Sequence, residues 1–390
     1  MKNLFVILFL MIIGINVFSQ EKDKKYYLNG YLSQMNQMII DSIDGNWVND
    51  GLIHNRLMFN YYGIKNLTFD LEVRNRVFYG ETVKYTPNYG DYVGADRGFV
   101  DLSFNLVEEP SFVINTAIDR LYFQYEIGKF KATIGRQRIN WGATFVWNPN
   151  DLFNNYSFFD FDYAEKPGAD AVYLQYFRNF ASSLELAAKI NADTALTVAM
   201  KYGFNALGYD FQVIGGMLDD NDVVAGVGWS GYISQLTFRG EGSYIHPIDN
   251  FVDTSGILLA AVGLDYMFPN SLTIMGEFLY NSAAQGLNIS NIYQIQSAPM
   301  NVKNLSFSKY SVVLQVSYPI NPLINVSLAA MYMDANNMMF FSPNIGFSIS
   351  QNVDFSFVAQ VFTGEITNPI TQKQQHLVMS LLFARLKYSF

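Results

Sequence analysis

Between Leu67 and Tyr79 the chain alternates apolar and polar residues almost without a break. Leu67, Phe69, Leu71, Val73, Val77 and Tyr79 fall on one face of an extended strand, and Thr68, Asp70, Glu72, Arg74 and Arg76 on the other, with Asn75 the single exception. A period of two is the period of a strand. The same alternation returns in Leu121/Phe123/Tyr125/Ile127 against Arg120/Gln124/Glu126, in Leu184/Leu186/Ala188/Ile190 against Glu185/Lys189, and in Tyr310/Val312/Leu314/Val316/Tyr318 against Ser311/Gln315/Ser317. A helix would need apolar residues three and four apart, which these stretches do not supply. Beyond the first twenty residues no run of about 18 apolar residues occurs, so spanning helices are excluded.

Composition says which kind of strand protein this is. Aromatic residues make up 16% of the chain, with 33 Phe and 26 Tyr, while charged residues reach only 15%; soluble domains carry about 25% charged residues. Strands apolar on one side and polar on the other, rich in aromatics and poor in charge, predict an all-β fold, a transmembrane antiparallel up-and-down β-barrel. The absence of cysteine rules out disulfides and thiolate metal sites. The opening MKNLFVILFLMIIGINVFSQ has the charged start, short apolar run and small Ser19 of a signal peptide. We therefore divide the chain into a signal peptide at 1–19 and one barrel at 20–390. The formal net charge of −9 argues against a nucleic-acid partner.

Short turn signals (Ile64-Lys65-Asn66, Gly128-Lys129, Pro269-Asn270-Ser271, Pro319 to Pro322, Gln351-Asn352) alternate with long connections at 41–51, 81–117, 139–168, 246–255, 282–308 and 364–375. Short turns at one end and long loops at the other are the asymmetry of an outer-membrane barrel. Counting back from the C-terminus gives about 18 strands, with 16 as the alternative, and both ends periplasmic. Phe99 to Leu106 also alternates, but a spanning strand there would leave no turn before Ile118, so it is assigned to an ordered extracellular loop. Leu386, Tyr388 and Phe390 share one face of the last strand and form the expected assembly signal, read by the barrel-assembly machinery.

The alternation stops between Ile139 and Gly168, where nine aromatics crowd together with several acids. Loops of this length are functional or disordered, and disorder needs low hydrophobicity, so this one is expected to fold into the barrel. GRQRINWG, followed by VWNPNDLFNNYSFFDFDYAEKPGADAV, resembles the signature region of a group of outer-membrane β-barrel porin-like proteins of Bacteroidetes, over roughly Ile118 to Tyr176. The resemblance implies a barrel and a channel, and no particular substrate.

Arg136 and Arg138 share a strand face and are expected to meet Asp160, Asp162 and Glu165 of the inserted loop. Such arginine–carboxylate pairs would clamp the loop or form a charged constriction. Trp141 and Trp147 bracket the turn, and Asn148-Pro149-Asn150-Asp151 offers a cap for a short helical turn through Phe153. A calcium site from Asp160, Asp162 and Glu165 is a weaker reading, since the acids lack a recognised ligand spacing, and no metal is expected. Glu72, Arg74, Arg76, Arg120 and Glu126, with Asp70, Arg239, Glu241, Glu277, Arg385 and Lys387, read as an ordinary polar lumen wall.

No histidine has a partner at a catalytic spacing, so no enzyme activity and no cofactor are expected; an outer-membrane hydrolase is the least favoured class. A barrel of this size leaves an aqueous channel. The expected function is passive or weakly selective diffusion of small hydrophilic solutes across the cell outer membrane, with membrane lipid around the barrel. The alternative is a barrel plugged by its loop that serves as a structural or partner-binding protein.

Overall fold

Period-two patterning becomes nineteen strands in the computed structural model, which describes residues 24–40, 47–154, 165–284, 301–367 and 374–390. In chain order these are β1 (Tyr26–Ile40), β2 (Val48–Ile64), β3 (Leu67–Gly80), β4 (Ser103–Glu109), β5 (Phe112–Ile127), β6 (Phe130–Gln137) and β7 (Ala169–Asn179). There follow β8 (Ser182–Ile190), β9 (Leu196–Ala206), β10 (Tyr209–Leu218), β11 (Asp222–Ile233), β12 (Leu236–Pro247) and β13 (Ile257–Met267). The series ends with β14 (Thr273–Asn281), β15 (Tyr310–Asn321), β16 (Ile324–Met333), β17 (Met338–Ser350), β18 (Val353–Thr367) and β19 (Gln374–Ser389). All pairings are antiparallel, and β19 returns to pair with β1, so 18 strands close into a barrel with no free edge. Two one-turn helices, α1 (Glu81–Tyr85) and α2 (Tyr89–Gly94), lie between β3 and β4.

The strand outside the count of 18 is β4. It pairs with Ala117 to Phe112 on the same side of β5 whose other half, Leu121 to Ile127, pairs with β6. Thus β4 continues the wall above the short β6 without crossing the barrel, and Phe99 to Leu106 is only partly a loop. The expected loop 81–117 is also too long, because β5 begins at Phe112. The cause is a bulge: Val73 pairs with Ile118 but Glu72 with Arg120, leaving Asp119 extra. Inward positions are therefore odd before the bulge (Val113, Asn115, Ala117) and even after it (Arg120, Tyr122, Gln124). A single alternating pattern across 112–127 was invisible for that reason.

Outward faces are apolar and exposed, as at Phe123, Leu186, Val312 and Leu314. On β2, β3 and β5 the outward residues form cross-strand rows. The lowest row that is aromatic on all three strands is Tyr61–Phe69–Phe123, and the highest aromatic row includes Tyr79–Phe112. From Phe69 to Tyr79 is five two-residue steps; at about 6.7 Å each and a tilt of roughly 40°, the rise is about 25 Å, the height of the apolar band of a membrane barrel.

The inner face is not uniformly polar. In the half nearer the long loops, Met35, Leu52, Met331, Phe340, Phe362 and Leu381 point inward and are buried. A second apolar group, including Ala187, Ile214, Val224 and Leu259, lines the other side. Charged residues gather on β2, β3 and β5. What covers the apolar inner walls is residues 139–154 between β6 and β7, joined by Val302, Leu305 and Phe307 from the connection before β15.

Candidate functional site

The loop leaves β6 inward and runs across the barrel. At its neck Asn154 accepts a hydrogen bond from the Ile139 amide (2.9 Å) and donates to the Pro167 carbonyl (2.6 Å), tying the outgoing and returning limbs together. Trp141, Leu152 and Phe153 then bury themselves against the small-residue wall of β7–β9, with Trp141 edge-on to Phe153 at 5.0 Å. The Trp141 indole donates to Glu185 (3.1 Å), which also pairs with Lys201 (3.1 Å). Trp147 and Val146 enter the opposite apolar group, beside Met35, Leu52 and Leu279.

Two wall carboxylates hold the middle of the loop. Glu277 on β14 accepts hydrogen bonds from the backbone amides of Phe145 (2.8 Å), Val146 (3.2 Å) and Trp147 (2.7 Å). Glu241 on β12 accepts from the amides of Ala143, Thr144 and Asn150, each at 2.8 Å, and from the Thr144 hydroxyl. Both side chains are almost fully buried. Irregular backbone inside a barrel leaves amide N–H groups without ladder partners, and a carboxylate with several lone pairs satisfies two or three at once. Beside them Arg239 stacks on Phe145, 3.8 Å from the ring centroid, and pairs with Asp265 at 3.0 Å.

The Asn-Pro-Asn-Asp turn works differently from the expectation. No helix forms at Asp151 to Phe153. Asn150 reaches the wall instead, donating to the Val227 carbonyl (2.9 Å) and accepting from Ser243 (2.7 Å). Asn148 lies against Gly142, where any Cβ would meet its side-chain oxygen at 2.0 Å. Asp151 is buried with neither oxygen hydrogen-bonded, and its nearest cation is Lys166 at 3.6 Å. Burial pushes its carboxyl up to about 7, with Lys166 and Arg138 acting against the shift.

The charge pairs also differ from the expectation. Arg136 shares its face with the exposed Ile134 and with its cross-strand partners Leu121 and Asp170, which is the outer face. There it bonds Asp170 (2.7 Å), Asp96 (2.6 Å) and the Val100 carbonyl (2.6 Å), fastening the segment before β4 to the wall. Alternation alone had placed it inward, because the strand was read without its outer neighbour. Arg138 is exposed. Asp160 and Asp162 lie outside the described residues. Glu165 meets Tyr31 (3.1 Å) and Arg56 (3.6 Å) instead of Arg136.

On the lumen side of β2, β3 and β5 a charged strip runs up the wall. Arg56 is buried between Glu72 and Asp119, the latter at 2.5 Å; Arg74 approaches Asp119 at 3.3 Å; Arg76 donates to Asn115 at 2.8 Å. Arg120 donates to the Lys166 carbonyl (2.5 Å), so the returning limb of the loop rests on this strip. Glu126 is exposed at the periplasmic end. Residues of this wall came from sequence as undifferentiated; Glu185, Glu241, Glu277 and Asn154 were not recognised as anchors. The available signal was an acid at an inward position amid small residues, as in Gly240-Glu241-Gly242-Ser243.

No protein-family model matches the chain, and no curated protein sequence matches it. Solved structures do. OccK11 (OpdR) of Pseudomonas aeruginosa aligns over 96% of this chain and 100% of its own, with a TM-score of 0.56 at 8% identity. OccAB2 of Acinetobacter baumannii aligns over 93% and 98%, with a TM-score of 0.57 at 9% identity. These neighbours are outer-membrane porins. At such identities the likeness shows a shared 18-strand barrel fold.

Proposed function

We propose that the protein is an outer-membrane channel through which small hydrophilic solutes diffuse passively or with weak selectivity, as the porin neighbours of the same fold suggest. The observation that carries the reading is the sorting of the lumen by chemistry. The loop's apolar groups pack on the apolar walls, while the charged side chains concentrate on β2, β3 and β5. Solutes then pass over the charged strip, where the half-buried Glu72 and Arg76 are reachable and the buried Arg56, Arg74, Asp119 and Arg120 supply paired charges beneath them. Such a wall favours polar molecules without strong preference for anion or cation.

In the same reading the segment 1–19 is a signal peptide and 20–390 one barrel. Leu386, Tyr388 and Phe390 address the chain to the assembly machinery. Phe390 exchanges two backbone hydrogen bonds with Gly30 (2.9 and 3.0 Å), so the ending also closes the seam. We place the chain beside the Bacteroidetes porin-like group on the signature region alone. No catalytic role is proposed: His54 is buried beside Tyr31 and the arginine strip, and His376 sits exposed against Thr363.

A plugged barrel is the second reading, favoured by Trp147 and Phe307, which enter from two different loops and join one apolar cluster with the wall. Single-channel recording of the refolded protein in a planar bilayer separates them. Steady conductance supports the channel. A silent wild type that conducts after deletion of residues 145–162 establishes the plug and overturns the channel.

A further inference from the structure

At mid-height the outward positions are apolar on strand after strand, as at Leu186, Met200, Val227, Val262, Leu314 and Leu328. Three neighbouring strands depart from this, while on β1 the same row holds Leu32 and the polar Gln34 and Asn36 stand one and two steps higher, toward Tyr79. Asn55 on β2 faces Asn75 on β3, which faces Thr116 on β5, in one outward row. That row is three steps above Phe69 and two below Tyr79, so it lies about 15 Å above the lower aromatics and about 10 Å below the upper. It sits near the middle of the hydrocarbon.

The row is a hydrogen-bonded ladder. Thr116 donates to Asn75 (2.8 Å), Asn75 to Asn55 (3.1 Å), and Asn55 to the Tyr31 carbonyl (3.0 Å). On β1, Gln34 donates to the Tyr79 hydroxyl (2.8 Å) and to Asn36 (3.1 Å). Among the described residues the Asn36 amide nitrogen and the Gln34 amide oxygen find no further partner. Beside them a hollow of about 440 Å³ opens on the outer face, lined by Asn36, Met38, Gly51, Tyr79, Leu382 and Ala384.

Lipid tails offer an amide nothing, so polar side chains facing the hydrocarbon mark contact with protein. The ladder row and Gln34 and Asn36 carry no charge, which disfavours an ionic partner or a phosphate headgroup. Amides and hydroxyls both donate and accept, so the patch complements itself. A second barrel with the same aromatic spacing also brings its amides to the same depth. β19, β1, β2, β3 and β5, spaced about 4.8 Å over a band of about 25 Å, offer roughly 600 Å² per copy. The pair would bury about 1,200 Å², the lower edge of specific interfaces. We propose that this face packs against the same face of a second copy of the chain within the membrane.

The chain's lack of cysteine makes the test direct. Asn36→Cys and, as a control on β8, Leu186→Cys are introduced singly into the full chain and oxidised with copper phenanthroline in the outer membrane. The expected result is a covalent dimer of twice the monomer mass from Asn36→Cys, with at least tenfold less from Leu186→Cys. Adding Asn55→Leu, Asn75→Leu and Thr116→Val should lower the dimer yield at least fivefold while heat-modifiable gel mobility stays that of a folded barrel. Should that variant fail to fold, native mass spectrometry of the wild type in mild detergent decides: a dimer supports the proposal, and a monomer, bare or carrying lipopolysaccharide, overturns it. Equal yields at both cysteines, or an adduct with a protein of different mass, also overturn it. The inference rests on a membrane-spanning barrel and not on conduction, so a dimer that passes no current refutes the channel alone.

Discussion

Removing Glu277 should free the middle of the inserted loop while leaving the barrel closed. In Glu277→Ala the amides of Phe145, Val146 and Trp147 lose their acceptor at a buried place on the barrel wall. A buried donor left unmatched costs about 1–3 kcal/mol, so three set an upper range of roughly 3–9 kcal/mol. Water entering the cavity left by the carboxylate reduces that, and about 3 kcal/mol is a working minimum. At about 1.4 kcal/mol per tenfold, the detached loop becomes at least a hundredfold more populated. Against this stands the packing of Trp147 and Val146, which the variant leaves in place. Glu277→Gln keeps one acceptor but turns an N–H₂ toward amide donors, so it should fall between wild type and alanine. The barrel ladders do not involve this side chain, and gel mobility of the folded form should not change. The assay is single-channel recording together with limited proteolysis from the extracellular side. The expected outcome is noisier current, with more frequent transitions to a higher level, and faster cleavage between Gly142 and Asn154. Gln315→Ala, which removes an inward polar group bonded among the described residues to Ser317, serves as control. Identical current levels, noise and cleavage rates in Glu277→Ala and wild type would refute the anchor.

Sidedness is checked on β15, where Leu314→Arg on the outer face should cost about 2–4 kcal/mol in refolding into vesicles and Gln315→Arg on the inner face should be tolerated. Arg136→Ala should expose Asp96 to Leu102 to protease and leave conductance unchanged, because its partners lie on the outer face; a conductance change would return it to the pore. Asp151 carries a pH signature. An acid whose folded pKa is raised from 3.8 to about 7 holds more protons folded than unfolded between those values, so stability falls as pH rises through that window and levels off above it. Asp151→Asn should therefore match wild type near pH 4 and exceed it at pH 8 by up to roughly 4 kcal/mol, at about 1.36 kcal/mol per unit, read from the thermal transition of gel mobility. A difference that stays constant from pH 4 to 8 would contradict its burial in the charged form.

Strand number, closure and sidedness follow from the sequence by itself, since period two reports only on the two media a strand separates, and lipid and water differ enough to write it plainly in stretches such as Leu67–Tyr79. That logic fails wherever a third medium appears. On β19, Met379, Leu381 and Phe383 point inward but meet the inserted loop and its apolar surroundings rather than water, so both faces are apolar and the alternation fades. At Asp119 one extra residue exchanges the two faces, and the length of β5 disappears with it. Arg136 looked like a lumen residue because its outer cover, the segment from Asp96 to Val100, is distant in sequence. The anchors Glu241 and Glu277 were legible as inward acids, but their partners are backbone amides about 90 to 130 residues away, and an amide has no sequence signature. Which medium each face meets is a local property that the chain encodes. Which loop amide meets which wall carboxylate is decided only when the barrel has closed around the loop.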